Sequence, residues 1–163
     1  MSYNLEIYMK KILKEVVPSN FHRITLSRGG CMFIEKILIK FLEIFLSEHH
    51  KNLDISLDLI LKKIMGENLA NHAINDYNNN LELMYPVRAI SKILRNNFEK
   101  TFYLETFKEY LSAILEYLTL EILHLTVNIA EKMSITPHLI YEAIKRDDEL
   151  SMFLENINME NDF

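Results

Sequence analysis

A long stretch of helical periodicity between Tyr110 and Leu150 constrains the fold of this chain more than any other feature. Its apolar residues recur at spacings of four and three, which places them on one face of a single helix. They are Leu111, Leu115, Leu118, Ile122, Leu125 and Ile129. The pattern breaks at residues 133–137, where Pro137 suits the first turn of a new helix. A short second helix is therefore predicted from His138 to about Lys145.

Glycine and proline are scarce, with three of each among 163 residues. Few turns can be built from this composition, so long helices with short connections are expected. The chain is 49% hydrophobic and 25% charged, which suffices for one domain or for two small intertwined units. Because no run of about 18 apolar residues occurs, no membrane span is expected. The first residues, MSYNLEIYMKK, also lack the order of a signal peptide.

The same order of helices occurs twice along the chain. The predicted helices span residues 5–17, 27–49, 56–65 and 69–77 in the first half, and 88–95, 105–132 and 138–145 in the second. Ser27 is predicted to cap the first long helix, and either Asp54 or Ser56 to cap the helix that Gly66 ends. Gly29 and Gly30 lie in the first turns of the long helix and are expected to weaken its start.

The asparagine-rich segment NNNLELMYP, residues 78–86, separates the two copies and is the best domain boundary in the chain. Two copies of a short–long–short helix unit constitute an internal repeat. A single unit cannot bury its long helix, whereas two units clasped head to tail can bury both. The sequence therefore predicts an all-α fold in which two tandem units form a single-chain pseudo-dimer.

Several motifs resemble histones. LEYLTLEIL, TPHLIYEAI and RDDEL in the second half resemble the second helix, second loop and third helix of histone 2A, and YPV and KILR resemble its start. In the first half, IYMKKILKEVVP and ENLANHAIND resemble the first and C-terminal helices of histone 2B. The resemblance implies two histone folds in a handshake: residues 1–77, a linker at 78–84, and residues 85–163. This order resembles the fused histone doublets of giant DNA viruses of the marseillevirus type.

The chain departs from ordinary histones mainly in its basic residues. Met1 lies just before the first helix, the linker carries no basic residue, and the C-terminal extension is shortened to SMFLENINMENDF. Asn52, Phe102 and Ser134 stand where the resemblance implies arginines of the minor groove. The formal net charge is −5, and residues 85–163 carry the whole acidic excess. A tail-less variant with weaker, more salt-sensitive retention on DNA is expected.

Histones wrap DNA through arginines, main-chain amides and helix N-termini without reading bases. The resemblance implies contacts to the DNA backbone in the first helix, the loops and the fifth helix. They are Lys10, Lys11, Lys14, Arg23, Thr25, Ser27, Arg28, Lys51, Arg88, Lys92, Arg95, Lys132 and Ser134. Arg88, Lys92 and Arg95 share one helix face, although a solvated basic stripe would show the same spacing.

A group of acids resembles the acidic patch of histone 2A. It comprises Asp76, Glu116, Glu121, Asp147, Asp148 and Glu149. Such carboxylates favour an arginine anchor from a partner protein. Acids at residues 147–149 would follow the end of a helix, where the helix dipole disfavours negative charge, so a functional role is preferred over an ordinary acidic surface. His124 replaces one acid of the family, which predicts either altered or pH-dependent partner binding or a degenerate patch.

Nothing in the sequence favours an enzyme, a cofactor or a metal site. There is no glycine-rich phosphate loop, no metal-ligand spacing and no nucleophile motif. His49 and His50 are adjacent and point different ways on a helix. The lone Cys31 fits a reducing, intracellular compartment and a core position. Other residues expected in the core are Met32, Phe33, Phe41, Phe45 and Tyr117.

The resulting functional prediction is a histone doublet that pairs with a histone 4–histone 3 doublet or tetramer and compacts viral DNA into nucleosome-like particles. Its expected location is chromatin, in the viral particle, the host nucleus or the viral factory. The alternative is an interaction module, such as a subunit of a transcription or chromatin factor or a decoy, with little DNA wrapping. Formation of a particle that protects DNA would distinguish the two functions.

Overall fold

The computed structural model describes residues 5–18, 23–79, 82–98, 103–130 and 134–159, and these residues form eight α-helices. In chain order they are α1 (Glu6–Val16), α2 (Arg28–Lys51), α3 (Leu57–Met65), α4 (Glu67–Asn79), α5 (Val87–Asn97), α6 (Glu105–Ala130), α7 (Pro137–Lys145) and α8 (Asp148–Asn156). Within these ranges the only β structure is an isolated bridge between Leu26 and Ile135. The all-α class predicted from the sequence is confirmed.

Four of the helices, α2, α3, α7 and α8, begin where a side chain accepts one of their free N–H groups. The Ser27 hydroxyl accepts the N–H of Gly30 at 2.9 Å and starts α2. Ser56 rather than Asp54 caps α3, through the N–H of Leu59 at 3.3 Å. Each such cap is worth about 1 kcal/mol. The predicted end of the second long helix, at residue 132, lies outside the described ranges.

The two halves of the chain share one core. Helix α6 is buried on all sides from Tyr110 to Thr119 and packs against α1, α4, α5 and α7. In the first half, Phe41 and Phe45 of α2 are fully buried, and the Phe41 ring lies 6.0 Å from that of Phe153 in α8. A long apolar helix surrounded in this way has no solvent-facing stripe in its middle.

One core prediction was wrong. Met32 is 58% exposed, whereas Cys31, Phe33, Phe41, Phe45 and Tyr117 are buried as expected. Met32 shares a helical stripe with Lys36, Lys40 and Glu43, at spacings of four, four and three, and this stripe faces solvent.

Helix α6 is the one helix in the described part of the chain that is long and apolar enough, by length and composition, to cross a membrane. Within its most apolar 18-residue segment, 67% is buried inside the protein, as in the core helix of a globular fold. Glu116 and Glu121 interrupt the apolar sequence of this helix, so it contains no uninterrupted run long enough to predict a membrane span.

Helix α8 was not predicted from the sequence. Leu150, Phe153 and Leu154 bury one of its faces, and its Asn156 amide donates to the Ile64 carbonyl of α3 at 2.8 Å. The helix ends at Asn156, and Asn158, two residues later, has a φ of 61°. The N–H of the next residue bonds back to the Leu154 carbonyl at 2.9 Å, which closes the helix. Helix α8 thus joins the end of the second half to the first half.

Candidate functional site

The loop before α2 meets the loop before α7, and residues predicted to contact DNA lie at this junction. The backbone N–H of Ser27 donates to the Ile135 carbonyl at 3.0 Å, and the N–H of Ile135 donates to the Thr25 carbonyl at 2.7 Å. The Thr25 hydroxyl lies 3.4 Å from the hydroxyl of Ser134. Thr25 and Ser27 from the first half and Ser134 from the second therefore share one site. Lys132, assigned to the same site, lies outside the described residues.

The junction includes the N-terminus of α2 and carries two arginines. Exposed Arg28 is the first residue of α2, and Arg23 is exposed two residues before Thr25. No acid lies in the first turn of α2, so the positive end of the helix dipole is not neutralised within that helix. A positive dipole end and guanidinium groups together suit a phosphate.

The lysines of α1 are exposed, but Lys10 is engaged. Its ammonium lies 2.7 Å from the Glu6 carboxylate, and this hydrogen bond lowers the pKa of Glu6 and raises that of Lys10. Lys11 lies 5.6 Å from the centre of the Tyr8 ring. Lys14 is exposed in the last turn of α1. A phosphate would therefore compete with Glu6 for Lys10, whereas Lys14 carries no ion pair that the structure records.

Helix α5 presents its basic residues around a groove. Arg88 and Arg95 line a concavity of about 390 Å³ together with Lys108 of α6, which was not predicted. Lys108 also pairs with Glu105 at 3.0 Å. Lys92 is exposed on the same helix but does not line the groove. The sequence spacing identified the basic helix face, while the contribution of α6 depends on tertiary packing.

Lys51 lies apart from the junction. It is the last residue of α2, and α2 begins at Arg28, so the rise of about 1.5 Å per residue separates the two by about 34 Å. Lys51 instead lines a cavity with Phe98 and Tyr103 of the second half. The predicted DNA contacts thus occur at both ends of α2.

Glu116, predicted as part of the acidic patch, is buried and holds the start of the second half. Its carboxylate accepts the N–H of Met84 at 2.8 Å and also that of Tyr85, and burial raises its pKa. The Ser112 hydroxyl donates to the Tyr85 carbonyl, and the Tyr85 hydroxyl lies 2.7 Å from that of Thr119. The side chain of Glu116 is therefore committed to the fold and is not presented to a partner.

The charges of three other predicted acids act on Tyr117. Burial raises the pKa of this tyrosine, and the charges of Glu121, Asp76 and Glu149 raise it further. Burial likewise raises the pKa of Asp76. The structure thus brings together acids from α4, α6 and α8, and we call Asp76, Glu121 and Glu149 the acidic cluster. His124 is exposed one turn beyond Glu121 on α6.

Residues 147–149 begin a helix, so the prediction that their charges are unfavourable at a helix end was wrong. Asp147 caps α8, because its carboxylate accepts the N–H of Leu150 at 2.9 Å, and Asp148 and Glu149 lie in the first turn of α8. Negative charge is favoured at a helix N-terminus. Local structure therefore accounts for three consecutive acids, and their presence does not by itself indicate a binding site.

The two adjacent histidines pack against aromatic rings. His49 stacks on Phe107 with ring centroids 5.3 Å apart, and His50 stacks on Tyr103 at 6.4 Å. Among the residues that the structure describes, no group of three His, Cys, Asp or Glu side chains could hold a metal ion. Cys31 is buried, and burial raises the pKa of its thiol to about 11.

Comparison with known proteins identifies relatives of one kind, although no family model matches the chain. It is 37% identical over 82 residues to a probable histone 2A of Arabidopsis thaliana, which covers 48% of this chain and 62% of that protein. It is 39% identical over 84 residues to a variant histone 2A of Dictyostelium discoideum, covering 49% of this chain and 32% of that protein. The chain thus spans less than two thirds of these two relatives.

A further relative is matched over more of its length. The chain is 33% identical over 94 residues to a histone 2A of Lodderomyces elongisporus, and the match covers 56% of this chain and 73% of that histone. On the strength of this match, the chain belongs to the histone 2A family.

Proposed function

We propose that this chain is a histone 2B–histone 2A doublet, with histone folds at residues 1–77 and 85–163 joined by a linker at 78–84. The observation that carries the proposal is the pairing of the Leu26 loop with the Ile135 loop across the two halves. Helix α1 packs on α6, α2 on α7, and α3 on α8, so each half covers the other. Such contacts are those expected of two units in a handshake.

The doublet binds DNA as a structural, non-enzymatic chromatin protein. Family membership supports this role, and the two arginines at the start of α2 supply contacts that suit the DNA backbone. The chain is acidic overall, with a formal net charge of −5. Fewer cations neutralise fewer phosphates, so retention on DNA without partner histones is weak and is lost at a lower salt concentration.

The doublet pairs with a histone 4–histone 3 partner and compacts viral DNA in nucleosome-like particles, in the viral particle, the host nucleus or the viral factory. The resemblance of the two halves to histones 2B and 2A, in that order, supports this finer assignment. The acidic cluster around Tyr117 offers carboxylates to an arginine of a partner protein. Within the predicted patch, Glu121 and Glu149 fit this role better than Glu116, which is buried.

Reconstitution tests the proposal. The purified chain is mixed with a histone 4–histone 3 tetramer or doublet and long DNA, and the product is digested with micrococcal nuclease. A discrete protected length supports the proposal, and its size relative to the roughly 147 base pairs of a complete nucleosome measures the wrap. The R23Q/R28Q double variant should shorten the protected length, whereas K36Q/K40Q makes the same charge change on the solvent-facing stripe of α2 and should not.

A histone-fold interaction module is the second candidate function. The excess of acids and the exposed Leu53 and Leu104 near the far end of α2 favour it, because a DNA-facing loop needs cations there. A folded chain that gives no protected DNA with any histone 4–histone 3 partner would support this function and contradict packaging.

A further inference from the structure

The two ends of α2 differ in their chemistry. The start of α2 lies at the junction, where Arg23 and Arg28 are exposed. The exposed side chains at the other end, in the loop after α2 and just before α6, include three large apolar ones. Leu53 is 72% exposed, Ile55 42% and Leu104 65%. We call these three residues the apolar end of the chain.

Two clefts open beside the apolar end, and Tyr103 lines both. The first measures about 640 Å³ and includes Leu53 in its lining, and the second measures about 560 Å³ and includes Leu104. Tyr103 stacks on His50 and on Phe107, with ring centroids 6.4 and 5.4 Å apart, so its ring is held in place between them. In both cases a projecting leucine therefore lies beside a concave surface.

A surface that carries both a projection and a cleft can fit a second copy of itself. In a two-fold symmetric pair, the same patch of each copy faces the other, so a leucine of each copy can enter a cleft of the other. Exposed apolar side chains grouped around clefts are typical of interaction sites, and pairing removes them from water. The shape of the apolar end thus favours association with its own copy.

The charges beside Leu53 are self-complementary as well. Lys51 and Asp54 flank it in the sequence, and both are exposed. Among the residues that line the two clefts, histidines aside, the only acid is Glu43 and the only base is again Lys51. Equal numbers of acids and bases disfavour DNA, which requires an excess of cations. In a two-fold pair, Lys51 of one copy can instead meet Asp54 of the other, and the reverse.

We propose that two copies of this chain pair through their apolar ends about a two-fold axis, with Leu53 and Leu104 of each copy packed against the clefts of the other. In this pair, Lys51 of each copy meets Asp54 of the other. The two junctions lie at the outer ends, up to about 70 Å apart, because each α2 separates its two ends by about 34 Å. The pair can therefore hold two DNA segments at once. This last step rests on the proposed DNA binding, whereas the pairing does not.

Sedimentation of the full-length chain over a range of concentrations tests the pairing. The wild type should pass from monomer to dimer as its concentration rises. The dimer should be weak, as for interfaces below about 1,200 Å², because three exposed aliphatic side chains from each copy make a small contact. The L53Q/L104Q variant should raise the dissociation constant at least tenfold. A wild type that stays monomeric at every concentration overturns the inference.

A matched double variant controls for the loss of exposed apolar surface. Leu59 and Met152 are each 58% exposed and line neither cleft. The L59Q/M152Q variant should therefore change the dissociation constant less than twofold. If it weakens the dimer as much as L53Q/L104Q does, association does not depend on the apolar end and the inference is overturned.

Charge reversal tests the two-fold arrangement. K51E and D54K each place like charges opposite each other in the symmetric pair, so each variant alone should associate severalfold more weakly than the wild type. An equimolar mixture of the two should regain the association. The acid introduced by K51E then faces the base introduced by D54K, and native Asp54 of one copy faces native Lys51 of the other. A mixture that associates no better than its components overturns the arrangement.

Capture of a second DNA duplex tests the bridging step. The wild type bound to a short immobilised duplex should retain a fluorescent duplex, and L53Q/L104Q should lose this capture while it still binds one duplex. The R23Q/R28Q variant should lose capture with its dimerisation unchanged. Equal capture by L53Q/L104Q overturns bridging through the apolar end. A wild-type dimer that binds no DNA contradicts the proposed function and supports the pairing alone.

Discussion

Gly30 lies so close to Ile135 that no side chain fits between them. A Cβ atom built on Gly30 would lie 2.6 Å from the carbonyl oxygen of Ile135, a distance that real Cβ atoms essentially never show. That carbonyl accepts both the N–H and the hydroxyl of Ser27, at 3.0 and 2.7 Å. The glycine that weakens the start of α2 is therefore what lets the two halves of the chain meet.

Gly30→Ala should destabilise the fold despite the higher helix propensity of alanine. The methyl group meets a backbone oxygen that is fixed by two hydrogen bonds, so the junction must open. Overpacking of this kind costs about 1–3 kcal/mol, against a gain of about 1 kcal/mol from propensity. Urea unfolding of the two proteins measures the difference.

Gly29→Ala is the matched control. Its nearest neighbours are side-chain atoms of Pro137 at 3.4 Å, an ordinary contact distance. Only the helix-propensity term remains, so Gly29→Ala should leave stability unchanged or raise it by up to about 1 kcal/mol. Equal destabilisation by both substitutions would contradict the close approach at Gly30.

Replacement of Glu116 should distinguish the contribution of its hydrogen bonds to stability from the contribution of its charge. Glu116→Ala leaves the buried N–H groups of Met84 and Tyr85 without their acceptor, which should cost about 1–3 kcal/mol for each unsatisfied group. Glu116→Gln keeps one acceptor oxygen and removes a charge from a buried position, so it should be much less damaging. Denaturant unfolding at pH 7 tests whether stability decreases in the order wild type, Glu116→Gln, Glu116→Ala.

The stability difference between the wild type and Glu116→Gln should depend on pH. Because burial raises the pKa of Glu116 in the folded state, the folded protein binds this proton more tightly than the unfolded chain does. The resulting contribution to stability is complete below the pKa that Glu116 has in the unfolded chain. It is lost as the pH rises through the higher pKa that Glu116 has in the folded protein. The stability of Glu116→Gln relative to the wild type should therefore increase as the pH rises above 4.5, the ordinary pKa of a glutamate. A pH-independent difference would contradict the buried position.

Asp147→Ala should destabilise α8, because it removes the cap that accepts the Leu150 N–H. The expected loss is about 1 kcal/mol. Asp148→Ala removes an equal charge from the first turn without removing the cap and should cost less. Thermal unfolding of both variants distinguishes a capping role from a general charge effect, which would make the two losses equal.

The helices were predictable because their signals are local. Periodic apolar residues fixed α2 and α6, and Ser27, Ser56 and Gly66 marked ends that a side chain or a single backbone angle determines. Helix α8 carried comparable signals, since Asp147 precedes an apolar spacing at Leu150, Phe153 and Leu154. It was missed because the acids were assigned to the end of α7 instead of the start of another helix.

The candidate sites were less predictable because they depend on distant segments. Glu116 is buried by Met84 and Tyr85, which lie 32 and 31 residues earlier in the sequence, and no local pattern reports that contact. Lys108 joins Arg88 and Arg95 only because α5 packs on α6. Met32 was assigned to the core by residue type, although its stripe contains Lys36 and Lys40.

The junction at the start of α2 should determine how strongly DNA binding depends on salt. Each phosphate neutralised contributes about 0.9 to the slope of log K against log salt. The R23Q/R28Q variant should therefore reduce the slope by about two if both guanidinium groups contact phosphates, as measured by fluorescence anisotropy on a short duplex. Lys10→Gln should change the slope by less than Lys14→Gln, because Lys10 must leave Glu6 to reach a phosphate. The K36Q/K40Q variant carries the same charge loss as R23Q/R28Q, and an equal change of slope in both would mean that the chain binds DNA through its overall charge and not through this junction.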